Sequence, residues 1–216
     1  MFDQKSSSKI RNCILRLSRY KNALYRLKKI GFVKVFSDNI ADAAGETATQ
    51  VRKDFSLFGI MGSKRGGYQT DDLTEKLNTI LGKNGNQKVI IIGIGRIGRA
   101  LMEYGAFKKS GIDVVAGFDI NPRKITAEAP VPIYPLNELE TFIRKNDIRI
   151  GIIAVPYNAA RQAFDMMIGA GIKGILNFAP IHFKGPSGIV VTNVNLEVEL
   201  ENLIYFVNAE ERAGDL

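Results

Sequence analysis

A glycine-rich hexapeptide at residues 93–98 constrains the fold of this chain more than any other feature. Its sequence, Gly93-Ile94-Gly95-Arg96-Ile97-Gly98, follows the β-branched run of residues 89–92, which is typical of a strand covered on both faces of a parallel sheet. A helical pattern comes directly after it, so the hexapeptide has the strand–turn–helix context that a dinucleotide-binding fingerprint requires. In that context Gly93 permits the tight turn, Gly95 lets backbone approach a pyrophosphate, and Gly98 lets helix and strand pack closely. The hexapeptide therefore predicts a doubly wound α/β sheet, the Rossmann fold.

An acidic residue stands where such a fold holds a ribose. Asp119 ends the second predicted strand, residues 114–119, and follows Gly98 by 21 residues. A carboxylate at this place accepts hydrogen bonds from the adenosine ribose hydroxyls and repels a 2′-phosphate. Arg123 and Lys124 are near in sequence and would weaken that repulsion. In spite of these two cations, the Asp119 carboxylate leads us to expect NAD(H) in preference to NADP(H).

Two further loops are expected at the same edge of the sheet. After a helix predicted over residues 96–107 the chain continues to alternate between strands and helices, with strands predicted at 148–155, 174–178 and 189–193. Ala154-Val155-Pro156 ends one of these strands and Asn177-Phe178-Ala179-Pro180 ends the next. Ligands of open α/β sheets bind beyond the carboxyl ends of the strands, so both loops are predicted to face the nicotinamide half of the ligand. Ordinary strand-to-helix turns are the alternative interpretation.

The first 80 residues have a different pattern, that of a winged helix-turn-helix. A long helix is predicted over residues 9–30, a short extended piece over 33–36, and a helix over 37–44 that stops at Gly45. A second short helix starts at once, with Thr47 and Gln50 at the capping-box spacing. Two short helices around a glycine turn are typical of a helix-turn-helix. Residues 59–68 suit a β-hairpin wing, and Thr70 is predicted to cap a further helix.

The net charge of +8 is concentrated in this N-terminal region. Residues 1–80 contain 15 Lys and Arg against 8 Asp and Glu, whereas residues 81–216 contain 15 against 14. Cationic side chains displace counterions from phosphates, so a basic module is the electrostatic footprint of a nucleic-acid binder. A basic surface that is merely solvated explains the charge alone equally well.

The second short helix and the wing supply the predicted DNA contacts. Residues early in such a helix reach base edges while flanking cations hold phosphates, and Arg can pair with guanine as Gln can with adenine. The outward residues of this helix are Thr49, Gln50, Arg52, Lys53 and Ser56, and the wing adds Lys64, Arg65 and Tyr68. A fold of this type that serves protein contacts instead is the alternative.

Composition excludes several other classes of site. One cysteine, Cys13, and one histidine, His182, cannot form an internal disulfide or a Cys/His metal site. The apolar runs are too short to span a bilayer, and no secretory signal opens the chain, so a soluble cytoplasmic protein is expected. Neither a Ser/His/Asp nor a paired-carboxylate constellation is visible, which favours a binding protein over an enzyme.

The predicted organisation has four parts. Residues 1–80 form the winged-helix DNA-binding domain, 81–87 a linker rich in Gly and Asn, 88–194 the Rossmann domain, and 195–216 a terminal helix. The helix over residues 196–207 is apolar on more than one side, so it needs a partner surface.

Taken together, these motifs resemble the bacterial Rex repressors. The resemblance rests on Val51-Arg52-Lys53-Asp54-Phe55-Ser56 with Phe58-Gly59, the wing ending in Tyr68, the glycine fingerprint, Phe118-Asp119, and the run from Gly171 to Pro180. It covers nearly the whole chain. It implies a redox-sensing transcriptional repressor that binds double-stranded operator DNA and senses the ratio of NADH to NAD⁺.

The resemblance also implies a homodimer and a switch. The terminal helix would be exchanged between subunits, and NADH would favour a closed dimer that releases DNA while NAD⁺ allows binding. Ala154, Val155, Pro156, Phe178, Ala179 and Pro180 match the nicotinamide-side positions of the family, and Tyr104 stands at its redox-responsive tyrosine.

The chain departs from the family pattern in two places. The wing reads Lys64-Arg65-Gly66-Gly67-Tyr68, with Arg65 in place of a glycine. Many members carry an Arg–Asp pair that links the two domains, and the resemblance puts Asn22 and Asn195 at those two positions. A link between two neutral amides is weaker, so a shallower response to NADH is expected.

Three other functions remain open at this point. One is an NAD-dependent oxidoreductase with a basic accessory domain, which would need a catalytic acid. Another is a nucleotide- or CoA-binding subunit of a ligase-like assembly, against which the Arg52-Lys53 helix argues. The third is an architectural DNA-binding protein, for which the glycine fingerprint and Asp119 would have no purpose.

Overall fold

The computed structural model describes residues 4–62, 66–82, 85–126 and 130–214. The chain divides into two compact units, Met1–Gly85 and Asn86–Leu216. Within the described residues, no helix is both long enough and apolar enough to cross a membrane.

The first unit is a winged helix-turn-helix. Its elements are α1 (Gln4–Lys29), β1 (Lys34–Val35), α2 (Ser37–Ala44), α3 (Ala48–Leu57), β2 (Tyr68–Gln69) and α4 (Thr70–Ile80). β1 and β2 pair antiparallel at the base of the wing, with Val35 opposite Tyr68. The helices bury one apolar cluster, which includes Leu17, Leu24, Ile40, Val51, Phe55, Leu73 and Leu77. The helical spacing of these residues places them on one face of each helix, and the unit forms because these apolar faces pack together.

The caps of this unit match the sequence signals in part. α2 ends at Gly45, whose φ of 69° is a left-handed conformation that favours glycine. The Thr47 hydroxyl accepts a hydrogen bond from the Gln50 backbone N–H at 3.1 Å, as an N-cap does. The Gln50 side chain, however, donates to Asp54 instead of completing a capping box. Thr70 does not cap α4 either, because its hydroxyl donates to the Phe32 carbonyl at 2.8 Å.

The second unit contains a six-stranded parallel sheet. Its strands are β3 (Gln87–Ile92), β4 (Ile112–Asp119), β5 (Ile133–Pro135), β6 (Ile150–Ile153), β7 (Gly174–Asn177) and β8 (Val190–Asn193). They lie in the order β5-β4-β3-β6-β7-β8, and every adjacent pair is parallel. Numbered within the sheet this is the order 3-2-1-4-5-6 of the Rossmann fold.

Helices cover both faces of the sheet. They are α5 (Arg96–Met102), α6 (Gly105–Lys109), α7 (Leu139–Asn146) and α8 (Tyr157–Ala170). A further helix, α9 (Leu196–Gly214), follows the last strand and leaves its large apolar side chains exposed. Side chains alternate along a strand, so Ile90 and Ile92 enter one apolar cluster with α7 and α8, whereas Val89 and Ile91 enter another with α5 and α6. Burial on both faces explains why β3 is apolar without alternation.

Several elements differ from the sequence-based expectation. Within the described residues, the strand of the wing, β2, begins at Tyr68 and pairs with β1 instead of forming a hairpin within residues 59–68. The helix predicted over residues 96–107 is two helices, and Tyr104 lies at the break as the N-cap of α6. β5 was not predicted, since a three-residue edge strand that ends in proline carries little signal. Helix α9 extends beyond residue 207, and Asn195 caps it by accepting hydrogen bonds from the backbone N–H groups of Glu197 and Val198.

Candidate nucleotide crevice and nucleic-acid interface

A cavity of about 400 Å³ lies where the strand order reverses. The chain leaves β3 towards α5 on one face of the sheet and leaves β6 towards α8 on the other, which opens a crevice at the carboxyl ends of the strands. The volume is in the range of ligand pockets. The lining includes Ile92, Gly93, Gly95, Phe118, Asp119, Ile120, Asn121, Lys124, Ala154, Val155, Pro156 and Gln162.

The three glycines of the fingerprint have three different surroundings. Gly93 has φ 92°, and a Cβ there would lie 2.7 Å from the Ala154 carbonyl oxygen of the neighbouring strand end. A Cβ on Gly98 would lie 2.0 Å from the Gly93 carbonyl oxygen, so helix α5 approaches the turn as closely as backbone can. A Cβ on Gly95 would meet nothing within 4 Å. Gly93 and Gly98 therefore serve the fold, while Gly95 keeps space open at the crevice.

Asp119 is buried at the floor of the crevice and organises the backbone around it. One carboxylate oxygen, Oδ2, accepts from the Ile94 backbone N–H and from the Lys124 ammonium, both at 2.8 Å. The other, Oδ1, accepts from the Asn121 backbone N–H at 2.8 Å. Burial raises the pKa of Asp119, but these hydrogen bonds, led by the one from Lys124, outweigh it and leave the pKa below its usual value. The carboxylate is thus ionised at neutral pH and locks the glycine turn.

The two loops proposed for the nicotinamide half differ in the structure. Residues 154–156 line the cavity, whereas residues 177–180 are not part of its lining. Asn177 is fully buried, and its amide donates to the Ile181 carbonyl and to Asn193 Oδ1 at 2.7 and 2.9 Å. Ala179 is in the core, and its N–H donates to Asn177 Oδ1 at 3.0 Å. The second loop is therefore a hydrogen-bonded turn beside β7.

The remaining fingerprint residues lie around helix α5. The Ile94 side chain is buried in the core, while Arg96 and Ile97 are exposed in the first turn of the helix. Tyr104 is 56% exposed and packs edge-on against Phe107 at 5.0 Å between ring centroids. None of these side chains lines the cavity described above.

The exposed face of α3 is polar and cationic. Thr49, Arg52, Lys53 and Ser56 are exposed, and the Arg52 guanidinium donates to the Thr49 hydroxyl at 3.3 Å. Gln50, by contrast, is half-buried. Tyr68 is also half-buried, and its ring packs edge-on against Phe55 at 5.3 Å. Lys64 and Arg65 of the predicted wing lie outside the described residues.

Behind α3 lies an ion pair that the sequence reasoning missed. The Asp54 carboxylate, 1% exposed, accepts from Arg16 of α1 through both oxygens, at 2.6 and 2.7 Å. It also accepts from the Tyr20 hydroxyl at 2.9 Å and from the Gln50 amide at 2.8 Å. Arg16, Tyr20, Gln50 and Asp54 are called the Asp54 network below. A signal for it existed, because an aspartate flanked by the core positions Val51 and Phe55 must turn inward.

The Asp54 network changes the pKa of Asp54 itself and of the adjoining Cys13. Burial raises the pKa of Asp54, but hydrogen bonds led by that from Arg16 outweigh it and hold the pKa below its usual value. Burial, with Asp54 next in importance, raises the pKa of the adjoining Cys13 thiol to about 11. Cys13 is therefore a buried thiol and not a thiolate at neutral pH.

Each unit matches a different protein-family model. Residues 11–56 match the family described as "Putative DNA-binding protein N-terminus". Residues 84–181 match the family described as "CoA binding domain".

Curated relatives align along nearly the whole chain. A protein of Desulforamulus reducens named "Redox-sensing transcriptional repressor Rex" is 40% identical over 200 residues, which are 92% of this chain and 95% of the relative. A Clostridium botulinum protein of the same name is 38% identical over 199 residues, with the same coverage of both chains.

Solved structures show the same arrangement of elements. The crystal structure of RSP with β-NAD⁺ and operator DNA superposes with a TM-score of 0.86 at 36% identity, over 94% of each chain. The crystal structure of RSP with β-NADH gives a TM-score of 0.81 at 36% identity, over 94% of this chain and 96% of that one. RSP is described as a Rex-family repressor.

Proposed function

The chain belongs to the Rex family of redox-sensing transcriptional repressors, and from this premise we propose how it works. It binds double-stranded operator DNA through the winged-helix unit and NAD(H) in the crevice of the Rossmann unit. Occupation by NADH lowers its affinity for the operator. The observation that carries the proposal is the combination, in one chain of this family, of a basic recognition helix with an open glycine turn locked by Asp119.

The adenosine half of the ligand belongs beside Asp119. A carboxylate has about four acceptor positions, and three are used by Ile94, Asn121 and Lys124. The fourth, on Oδ1, is available to a ribose hydroxyl. Asp119 therefore has two roles, to hold the turn and to receive the ribose. CoA and NAD share an adenosine diphosphate portion, so the match to a CoA-binding domain is compatible with this assignment.

The diphosphate and the nicotinamide are assigned along the same crevice. The diphosphate passes Gly95, where the absence of a side chain leaves space for it. The first backbone N–H groups of α5, at Arg96, Ile97 and Gly98, then donate hydrogen bonds to its phosphate oxygens. The nicotinamide end is placed at Ala154-Val155-Pro156. Phe178, Ala179 and Pro180 are assigned to the same end, in a loop that Asn177 holds by its hydrogen bonds. Tyr104 is assigned as the residue that responds to the redox state of the ligand.

The DNA-binding surface is assigned to the exposed face of α3. Arg52 reads a base edge, while Thr49, Lys53 and Ser56 contact bases or phosphates. Lys64 and Arg65 of the wing supply further cations, and Tyr68 fixes the base of the wing against Phe55.

The working form is a homodimer joined by α9. Eight large apolar side chains of this helix are 46–67% exposed: Leu196, Val198, Leu200, Leu203, Ile204, Tyr205, Phe206 and Val207. Burying them against a second copy removes apolar surface from water, and two-fold symmetry suits a pseudo-palindromic operator. The protein acts as a ligand-controlled DNA-binding protein, not as an enzyme, and it acts in the cytoplasm, where operator DNA lies.

A DNA-binding titration tests this function. The full-length protein is first used to enrich a duplex from a randomised pool, and binding of that duplex is then measured by fluorescence anisotropy at fixed salt with NADH or NAD⁺ added in parallel. We expect NADH to dissociate the complex at concentrations where NAD⁺ does not. A duplex of scrambled sequence is the control for non-specific binding. Enrichment of no sequence, or an equal response to both nucleotides, would contradict the proposed switch.

A further inference from the structure

Gln50 lies on the flank of the recognition helix and not on its exposed face. Successive residues of an α-helix are about 100° apart, so Thr49, Arg52, Lys53 and Ser56 share one arc of about 100°. All four side chains are exposed. Gln50 lies about 60° beyond the edge of that arc, on the side of Asp54, one turn along the helix. The helix geometry therefore turns Gln50 away from the surface that faces DNA.

One of the two N–H donors of the Gln50 side-chain amide is engaged by Asp54. Gln50 Nε2 donates to Asp54 Oδ1 at 2.8 Å, a charge-assisted bond to a carboxylate that is itself fixed by Arg16. To read adenine, a glutamine must offer both its amide donor and its carbonyl acceptor to the same base edge. The second N–H and the carbonyl of Gln50 remain, but the bond to the buried Asp54 carboxylate holds the amide on the flank of the helix, outside the arc of exposed residues. Turning the amide towards that arc would break this bond and leave the ionised carboxylate with one partner fewer, which is unfavourable.

Arg52 is in the opposite situation. It is exposed, and its guanidinium donates one N–H to the Thr49 hydroxyl at 3.3 Å. A guanidinium has five N–H donors, so four remain for a base edge or a phosphate. Thr49 lies one turn before Arg52 and restricts the directions in which the guanidinium can point.

From these contacts we propose that Gln50 is a positioning residue and that base reading on α3 rests with Arg52. Gln50 ties the start of α3 to Asp54, and Asp54 ties the helix to Arg16 and Tyr20 of α1. The operator preference then contains a base pair specified by Arg52 in each half-site and none specified by Gln50. The inference deepens the proposed DNA-binding function and rests on it.

The first test compares two variants by their base preference. The duplex enriched by the parent protein and all its single-base variants are measured with the parent, Gln50→Met and Arg52→Ala, each in the full-length protein. Methionine keeps the length and helix propensity of glutamine but can neither donate to Asp54 nor read a base edge. We expect Gln50→Met to weaken every duplex by the same factor, about threefold to tenfold, the size of one net hydrogen bond. Arg52→Ala is expected to lose about tenfold or more of discrimination at one base pair of each half-site.

The outcomes separate a positioning role from a reading role. A loss of preference at a single base pair in Gln50→Met would overturn the proposal, and so would an unchanged affinity for every duplex. Thermal melting of each variant shows whether it is folded, so a uniform loss of affinity in a protein that still melts cooperatively supports the proposal.

A second measurement needs no DNA. In the free, full-length protein, NMR detects the side-chain amide protons of Gln50 and their exchange with water. We expect slower exchange than for the exposed Gln69, and faster exchange in Asp54→Asn, which lacks the charged acceptor. Equal exchange of Gln50 and Gln69 in the parent would overturn the proposal. If the parent enriches no sequence from the pool, the repressor function fails, and this measurement still decides whether Asp54 holds Gln50.

Discussion

Asp119 in the nucleotide crevice and Asp54 behind the recognition helix are both buried carboxylates, yet they are held by different kinds of partner. Two of the three hydrogen bonds to Asp119 come from backbone N–H groups, those of Ile94 and Asn121. The hydrogen bonds to Asp54 described above come from side chains, and Arg16 and Tyr20 belong to another helix. The crevice is thus built by the path of the backbone, and the position of the recognition helix by a set of side chains.

This difference decides which substitutions harm each site. Backbone donors remain when a side chain is changed, so the crevice is vulnerable mainly where a side chain would intrude on the turn. The Asp54 network is vulnerable wherever one of its side chains is removed, because a buried charge is then left without its partner. Substitutions at the two sites therefore test the contrast.

The largest effect is expected from a methyl group at Gly98. In Gly98→Ala the new Cβ would lie 2.0 Å from the Gly93 carbonyl oxygen, so α5 must move away from the turn. We expect a loss of about 3 kcal/mol in the free energy of unfolding. NADH affinity should fall by about a hundredfold, because the same turn carries the backbone that contacts the diphosphate. Thermal unfolding and calorimetric NADH binding measure the two quantities.

Gly95→Ala is the matched control, since it adds the same methyl group three residues earlier. Its Cβ meets no atom within 4 Å, and its φ of −80° suits alanine. The free energy of unfolding should change by less than about 0.5 kcal/mol. NADH affinity should still fall, by about tenfold, because the methyl group occupies space that the diphosphate needs. An unstable Gly95→Ala, or a Gly98→Ala as stable as the parent, would contradict this division of roles.

The second effect concerns the Asp54 network. Asp54→Ala leaves the Arg16 guanidinium, 23% exposed, without its carboxylate. Breaking a buried ion pair costs about 3–5 kcal/mol, and the partial exposure of Arg16 places the expected loss at about 2–3 kcal/mol in the free energy of unfolding. Denaturant unfolding monitored by a probe in the winged-helix unit measures it.

The control is an ion pair at the surface. Arg144 and Glu140 are 2.7 Å apart on α7, with side chains 66% and 62% exposed. Glu140→Ala should cost only about 0.3–0.5 kcal/mol. If Asp54→Ala costs no more than Glu140→Ala, side chains do not fix the recognition helix as the contrast requires.

The same contrast explains which features could be predicted from the sequence. The crevice could be found because its course of backbone has a local motif. Glycines at fixed spacing and an acidic residue after the next strand indicate it within a short stretch of chain. For the Asp54 network the sequence signals only that Asp54 turns inward. Its partners could not be found, because Arg16 and Asp54 are 38 residues apart and meet only in the folded unit. The prediction of Gln50 as a base reader consequently rests on its place in α3 alone. The prediction puts Tyr104 inside one long helix, although Gly105, directly after it, is a local sign of the break between α5 and α6.

The smallest effect is the acid dependence of the two carboxylates. Burial raises the pKa of each, but hydrogen bonds, led by those from Arg16 to Asp54 and from Lys124 to Asp119, leave both folded-state pKa values below the usual value. The stabilisation is therefore fully present above the unfolded-state pKa of about 4 and is lost as the pH falls through the folded-state pKa. Asparagine at either position does not titrate, so the melting temperatures of the parent and of each Asp→Asn variant should converge between pH 6 and pH 3.

At pH 6 the melting temperatures of both variants should be lower than that of the parent, and the two deficits should differ. Asp119→Asn keeps an acceptor for a backbone N–H and loses mainly the charge pairing with Lys124, so we expect the smaller deficit there. Asp54→Asn leaves the Arg16 guanidinium without a charged acceptor and should show the larger one. A change of 1 kcal/mol corresponds to about 2–4 °C for a chain of this size, which calorimetry resolves. Equal deficits, or a gap that stays constant down to pH 3, would mean that the kind of partner does not govern how strongly a buried carboxylate stabilises this protein.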